Sequence, residues 1–341
     1  MANDKIIWVL ADDRPGNANQ ALGVAEALGL PFTVKSLAFN RLGRLPNPLL
    51  GASLVHLRAE SARAICPPWP DVVIAAGRRA APVARAIKRR GGGRAFLVQC
   101  MWPGPPAADI DLIATPAHDR RVARANLIHT VGAPHRVTRA RLRAEADAWR
   151  DRLEPLARPR LAVMVGGSTS RHRFTPARAA TLGQRVAELA RRAGGALMVT
   201  TSRRTDAAAK AALFARLDDG AATFDWEHGG DNPYFAYLAL ADAVIVTGDS
   251  TAMCAEACAT GRPVYIDAPP AHTAAKHKRL HDTLYASGRA RPLDQALDAA
   301  DGPDGPDGPD GLLDWRYPPL DDAAIIAREI IRRAGLPGQA T

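Results

Sequence analysis

Short apolar runs recur along the chain, each closed by a polar or glycine-rich stretch and most followed by a segment with helical spacing. In the first half the runs are Ile6–Leu10, Phe32–Leu37, Asp71–Ala76, Ala95–Gln99, Leu112–Pro116 and Leu127–Ile128. A second series comprises Leu161–Val165, Ala196–Thr200, a fragment near Thr223–Phe224, Ala243–Val246 and Val264–Ile266. Runs of this length bounded by Gly, Pro or Ser read as buried strands. Helices are predicted from Asn17 or Asn19 to Leu28, and over 80–90, 139–157, 175–193, 207–217, 234–240 and 251–260. Pro176 suits a first helical position, Ser250 or Thr251 can cap the last of these helices, and Gly261 stops it. Strand and helix in alternation predict an α/β protein with parallel, doubly wound sheets.

A chain of 341 residues exceeds one typical core, so two domains are expected. Arg158-Pro159-Arg160 punctuates the charged helix, which places the domains at 1–157 and 158–300. Asp301–Gly311 repeats Asp-Gly-Pro, cannot bury anything and reads as a flexible spacer. Order returns over 312–341, where a helix from Asp321 to Ala334 aligns Ile325, Ile326, Ile330 and Ile331 on one face. Its rival role is a membrane-surface helix, with Arg328, Arg332 and Arg333 toward lipid phosphates.

Composition narrows the class of partner. The formal net charge is +10, in scattered clusters such as Arg78-Arg79, Lys88–Arg90, Arg139–Arg143 and Arg203-Arg204. No aromatic residues interleave them as a base-stacking platform needs, so anionic ligands or an acidic membrane face are favoured over nucleic acid. The four cysteines form no CxxC pair, and Cys254 and Cys258 fall one helical turn apart as buried thiols of a reducing compartment. Asp4-Lys5 leads straight into a strand and no apolar run reaches membrane-spanning length, so a cytoplasmic protein is expected, peripheral to the inner membrane face at most. His277 and His281 lie at i, i+4 with His272 nearby, but Lys276, Lys278 and Arg279 crowd them and no metal site is expected.

The chemistry collects where strands end. After the first strand, Asp12-Asp13-Arg14-Pro15-Gly16-Asn17 with Asn19 and Gln20 carries more polar groups than a turn requires. It reads as a ligand-facing loop, or else Asp12-Asp13 merely cap the first helix. No G-x-G-x-x-G follows that strand, so a dinucleotide site is unsupported. In the second half, three successive exits carry Gly, Ser/Thr or Arg: Gly166-Gly167-Ser168 with Arg171, Thr201-Ser202-Arg203-Arg204, and Gly248-Asp249-Ser250-Thr251. Such exits share one edge of a parallel sheet, and a helix starting there presents free N–H groups, so an anionic ligand is predicted. The alternatives are a solvated Arg203-Arg204 pair and a solvated Glu256 on the helix surface.

These residues carry a resemblance. Asp242–Pro263 is similar to the donor-binding segment of two-Rossmann-domain (GT-B) glycosyltransferases, and Asp71–Pro82, with Gly77 after a buried strand, to their acceptor-side loop. More closely, the chain resembles the ELM-type family named after a plant mitochondrial-fission protein. The matching pieces are Asp13-Arg14-Pro15-Gly16 with Asn19-Gln20, Gly166-Gly167, Thr200–Arg204, Asn232-Pro233-Tyr234, and Thr247–Ser250 with Glu256-Ala257.

The resemblance implies two Rossmann-like domains, an interdomain cleft and a terminal helix crossing back to the first domain. It implies binding of a nucleotide-diphosphate sugar, with Gly166, Gly167, Ser168, Arg171, Ser250 and Thr251 at the diphosphate and Glu256 at the ribose. Ser202, Arg204, Gly248, Asp249, Asn232 and Tyr234 would belong to the same site. Arg203 would neutralise the leaving diphosphate without a metal or other cofactor. Asp12 or Asp13 would face the acceptor as general base, among Arg14, Gly16, Asn17, Asn19, Gln20 and Gly77. The acceptor stays unnamed, lipid-linked or at an anionic membrane surface. A metal-independent glycosyltransferase is thus expected, with a nucleotide-sugar epimerase or a non-catalytic scaffold of membrane remodelling as alternatives.

Overall fold

In the computed structural model the described residues are 5–337, apart from 226, 228 and 301–310. The expected spacer therefore lies outside the described residues, except for Gly311. The chain forms two compact units, residues 1–136 with 321–341, and residues 137–320. The division falls about one helix earlier than the sequence suggests.

The first unit runs β1 (Ile7–Asp12), α1 (Pro15–Leu28), β2 (Thr33–Leu37), α2 (Asn47–Leu50), α3 (Ala59–Arg63), β3 (Val72–Ala76), α4 (Ala81–Arg90), β4 (Phe96–Cys100), β5 (Leu112–Pro116) and β6 (Leu127–Thr130). Its strands form one parallel sheet in the order β2-β1-β3-β4-β5-β6. Both faces are covered, which is why β1 and β3 read as continuous apolar runs. Trp8, Leu10 and Val73 point into one core with Phe39, Val83 and Ile87. Ile7, Val9 and Ile74 point into the other with Val24 and Leu28 of α1.

One boundary differs in a way that matters. Helix α1 begins at Pro15, not at Asn17 or Asn19. Pro15 has its φ preset for a first helical position, and Asp12 Oδ1 accepts the Arg14 N–H just before it at 2.9 Å. Gly16, Asn17, Asn19 and Gln20 are therefore helical, and the polar loop shrinks to Asp13-Arg14.

The second unit runs α5 (Arg139–Leu153), β7 (Arg160–Gly167), α6 (Pro176–Arg192), β8 (Ala196–Arg204), α7 (Ala207–Phe214), β9 (Ala222–Phe224), α8 (Tyr234–Leu240), β10 (Ala243–Thr247), α9 (Thr251–Cys258), β11 (Val264–Asp267), α10 (Ala275–Ala286), β12 (Arg291–Pro292) and α11 (Leu293–Ala300). The parallel order is β12-β11-β10-β7-β8-β9. Helix α5 belongs here because it packs on α8, with the Arg141 guanidinium 3.9 Å from the centre of the Phe235 ring. Strand β8 runs on to Arg204, which pairs with Gly167, so Thr201–Arg204 are strand residues instead of a free loop. Thr175, Asp206 and Ser250 cap α6, α7 and α9 through their side-chain oxygens.

The last helix, α12 (Asp322–Ala334), lies in the first unit. Ile326, Ala327 and Ile330 pack with Ala21, Val24 and Ala25 of α1, while Ile325 is 40% exposed. The fully buried Asp322 carboxylate accepts the N–H groups of Val131 at 3.0 Å and Gly132 at 2.7 Å. Among the described residues no helix is long and apolar enough to cross a membrane.

Candidate functional site

Each sheet reverses its direction of growth once, between β1 and β3 in the first unit and between β7 and β10 in the second. Ligands of open α/β sheets bind outside the carboxyl ends of the strands at such points. The polar motifs of the sequence fall there in both units.

At the β7/β10 point the chain is drawn in tightly. Gly166 donates its N–H to Thr247 Oγ1 at 2.8 Å, and its carbonyl accepts Thr205 Oγ1 at 3.1 Å and the Ser202 hydroxyl. A Cβ on Gly166 would lie 2.3 Å from Asp249 Oδ2, and one on Gly167 would lie 2.4 Å from the Arg204 backbone. Gly167 also has φ +122°, outside the range of L side chains. Above these glycines Arg204 Nη1 pairs with Asp249 Oδ2 at 2.6 Å, joining the β8 and β10 exits. Ser168 donates its N–H to the Arg204 carbonyl at 2.9 Å and accepts Phe174 N–H at 3.0 Å on Oγ. Arg171 and Arg203 are exposed. Ser250 caps α9 and Thr251 is its first residue, so the start of this eight-residue helix adjoins Asp249.

A crevice beside the glycines is lined by Gly167, His172, Arg178, Thr247, Asp249 and Asp267. Asp267, at the end of β11, is 3% exposed and carries two guanidinium groups. Arg178 reaches its Oδ2, and Arg185 Nη1 reaches its Oδ1 at 2.9 Å. Burial, then the neighbouring Arg185, lowers Arg178 to about 10. Sequence reasoning missed Arg178, Arg185 and Asp267; the one signal was an aspartate closing a fourth strand of the same sheet.

Glu256 is buried and not a solvated residue of the helix surface. It is 7% exposed, on the second turn of α9, and its Oε2 accepts the Tyr234 hydroxyl at 2.5 Å. Burial pushes it up to about 7, against the pull of the Tyr234 hydrogen bond and of the Arg141 charge. Asn232 Oδ1 accepts Tyr234 N–H at 3.0 Å and so turns the chain into α8. His281 Nε2 lies 2.9 Å from the Gly248 carbonyl, which fixes the β10 exit from α10. Cys254 and Cys258 are buried free thiols, held protonated by burial. Among the described residues no grouping of three or more His, Cys, Asp or Glu is placed to hold a metal ion.

In the first unit, Arg79 organises the β1/β3 point. Its Nη2 contacts Asp12 Oδ1 at 2.5 Å and also Asp13 Oδ1. Its guanidinium lies 4.3 Å from the centre of the Phe39 ring, and His56 Nε2 holds its carbonyl at 2.9 Å. Asn17 Nδ2 donates to Asp12 Oδ2 at 3.0 Å. Gly77, at φ +79°, passes so close to Asn17 that a Cβ would meet its Nδ2 at 2.4 Å. Asp12 is thus 5% exposed with both oxygens engaged, and burial raises its pKa. Asp13 is exposed; burial works against ionisation there, but hydrogen bonding with Asp12 and Arg79 holds it below the ordinary carboxylate value. Of the two carboxylates, Asp13 is the one open to solvent. Gln20 turns inward to Met101 Sδ at 3.6 Å, Asn19 is half-buried, and Arg14 and Gly16 are exposed.

Two parallel, doubly wound sheets with polar switch points make this a GT-B-like α/β protein. Similar solved structures include a putative UDP-N-acetylglucosamine 2-epimerase from Listeria monocytogenes, with TM-score 0.59 and 14% identity over 99% of this chain and 100% of that one. Another is UDP-GlcNAc 2-epimerase from Neisseria meningitidis bound to UDP-GlcNAc, with TM-score 0.57 and 11% identity over 96% and 100%. At such identities the likeness is one of fold. The chain belongs to the family described as Mitochondrial fission ELM1, whose sequence model matches residues 15–334. It is 28% identical to Mitochondrial fission protein ELM1 of Arabidopsis thaliana over 79% of this chain, and spans 65% of that protein's length. It is also 28% identical to Uncharacterized protein RP120 of Rickettsia prowazekii (strain Madrid E), over 96% of this chain and 98% of that one. Family and fold class both agree with the reading of the sequence.

Proposed function

We propose that the second unit binds a nucleotide-diphosphate sugar at the β7/β10 switch point and that the protein is a metal-independent glycosyltransferase. The observation that carries this is the pair Gly166-Gly167 beside the start of α9, where a Cβ on Gly166 would push on the Arg204–Asp249 pair and one on Gly167 would strike the Arg204 backbone. Backbone free of side chains, a helix start and exposed Arg171 and Arg203 suit a diphosphate. In this reading Ser168, Ser202, Gly248, Ser250 and Thr251 complete the diphosphate edge. Tyr234 and Glu256 form the ribose end, with Tyr234 turning aside as Glu256 takes the hydroxyls. Arg203 offsets charge on the departing diphosphate, so that no metal is required.

In the transfer step an acceptor oxygen forms a bond to the anomeric carbon while the bond from that carbon to the diphosphate oxygen breaks. Asp13 takes the acceptor's proton, because Asp12 is engaged on both oxygens by Arg14, Arg79 and Asn17. The structural neighbours named as UDP-GlcNAc 2-epimerases lend support to the choice of ligand and define the rival reaction. The Arabidopsis relative's name defines a scaffold reading without chemistry. Incubation with UDP-sugars and candidate acceptors separates these readings by product. Free UDP with a glycosylated acceptor supports transfer, an epimerised sugar nucleotide supports the rival, and no turnover of any nucleotide sugar overturns both.

A further inference from the structure

We propose that the segment from Val34 to Arg58 of the first unit is a docking surface for an anionic lipid bilayer. Of the seven large hydrophobic residues exposed among the described residues, five lie in it: Val34, Leu42, Leu45, Leu49 and Val55. Leu49 is 73% and Val55 58% exposed, which is costly in water without a partner.

The same segment is charged with one sign. Residues 30–59 contain Lys35, Arg41, Arg44 and Arg58 and no Asp or Glu. Arg41, Arg44 and Arg58 are exposed, and Arg41 and Arg44 adjoin Leu42 and Leu45 in sequence.

The segment is also held in one shape. Phe39, Leu54 and Leu57 anchor it in the core, and Phe39 pairs with Leu57 across an isolated bridge. Arg78 ties it from behind, donating to the carbonyls of Leu45 at 2.5 Å and Gly43 at 2.9 Å and to Asn47 Oδ1 at 3.2 Å. Asn47 Nδ2 donates in turn to the Pro103 carbonyl at 2.6 Å, and Asn40 Nδ2 to the Val55 carbonyl at 2.9 Å. The exposed leucines are therefore side chains of a fastened 3-10 turn and of α2, and not the tips of a loose loop.

Exposed leucines interspersed with arginines, in a segment that holds no Asp or Glu, match the boundary of a bilayer carrying negative headgroups. The apolar tips enter the acyl region while the guanidinium groups meet phosphates. The helix α12, which could have served that purpose, has its apolar face against α1. The proposal is independent of the nucleotide site.

The test is co-sedimentation of the full chain with vesicles of phosphatidylcholine containing phosphatidylglycerol, against phosphatidylcholine alone. The expected result is binding to the anionic vesicles only. Leu49→Asp combined with Val55→Asp should lower the bound fraction severalfold, and so should Arg41→Gln with Arg44→Gln. Ile325→Asp, which makes the same kind of change on α12 across the sheet, should leave it unchanged. All these positions are exposed, and unaltered thermal melts would confirm folding. Equal loss in the Ile325 variant, or no loss in the Leu49/Val55 variant, would reduce the binding to net charge and overturn the proposal. Sedimentation velocity showing a dimer that the Leu49/Val55 variant abolishes would assign the surface to a second copy instead.

Discussion

The Tyr234 hydroxyl donates to Glu256 Oε2 at 2.5 Å, closing the carboxylate beneath the first turn of α8. Burial lifts Glu256 from its ordinary value to about 7, though Tyr234 and Arg141 pull it down. Between the ordinary value and about pH 7, the folded chain keeps a proton that the unfolded chain has lost. Stability from this group is fully present below the ordinary value and is lost as pH rises through 7. Glu256→Gln should remove that fall, a difference on the order of 3 kcal/mol between pH 4 and pH 8, read from denaturant midpoints. Parallel pH profiles of the two proteins would contradict it.

The two glycines of the β7 exit should respond unequally. Gly167→Ala imposes φ +122° on a side chain and drives its Cβ to 2.4 Å from the Arg204 backbone, so a loss of about 2 kcal/mol or more is expected. Gly166→Ala meets the movable ends of Asp249 and Arg204, so it should fold while pushing that pair apart. Thermal melts of the two variants check the order.

Asp12 and Asp13 are neighbours with different tasks. Asp12→Asn removes a buried partner of Arg79 and should cost about 3 kcal/mol. Asp13→Asn alters an exposed pair and should cost less than about 1 kcal/mol, while lowering any transfer activity. A large stability loss at Asp13 with none at Asp12 would reverse the assignment.

How much of this was legible follows from the range of each interaction. Strands such as Ile7–Asp12 and Val72–Ala76 are apolar because both sheet faces are covered, and a run of letters records that directly. Thr201–Arg204 are polar and read as an exit loop, yet Arg204 is held in strand β8 by pairing with Gly167, 37 residues away. Asn17 and Asn19 look like caps of α1, whereas Pro15 and the Asp12 carboxylate set its start. The strand-exit motifs were visible as local clusters. The Arg178–Asp267 pair joins residues 89 apart, and Arg79 reaches Asp12 across 67, so no spacing reveals either.

Arg178 shows what such a hidden contact is worth. Asp267 has no exposed side-chain surface and keeps Arg185 if Arg178 is lost. Arg178→Met should therefore cost on the order of 2 to 3 kcal/mol, less than loss of an only partner. Asp267→Asn in the same background removes the remaining charge partner of Arg185 and should cost at least about 1 kcal/mol more, which a double-mutant cycle measures.

A diphosphate site at the β7/β10 switch point would show itself in calorimetric titration of the full chain with UDP, GDP and ADP, with and without chelator. One of these nucleotides should bind at one site, unaffected by chelator, weakened by Arg203→Ala and abolished by Glu256→Ala in folded protein. Failure of all three nucleotides to bind, or binding unchanged in both variants, would contradict it.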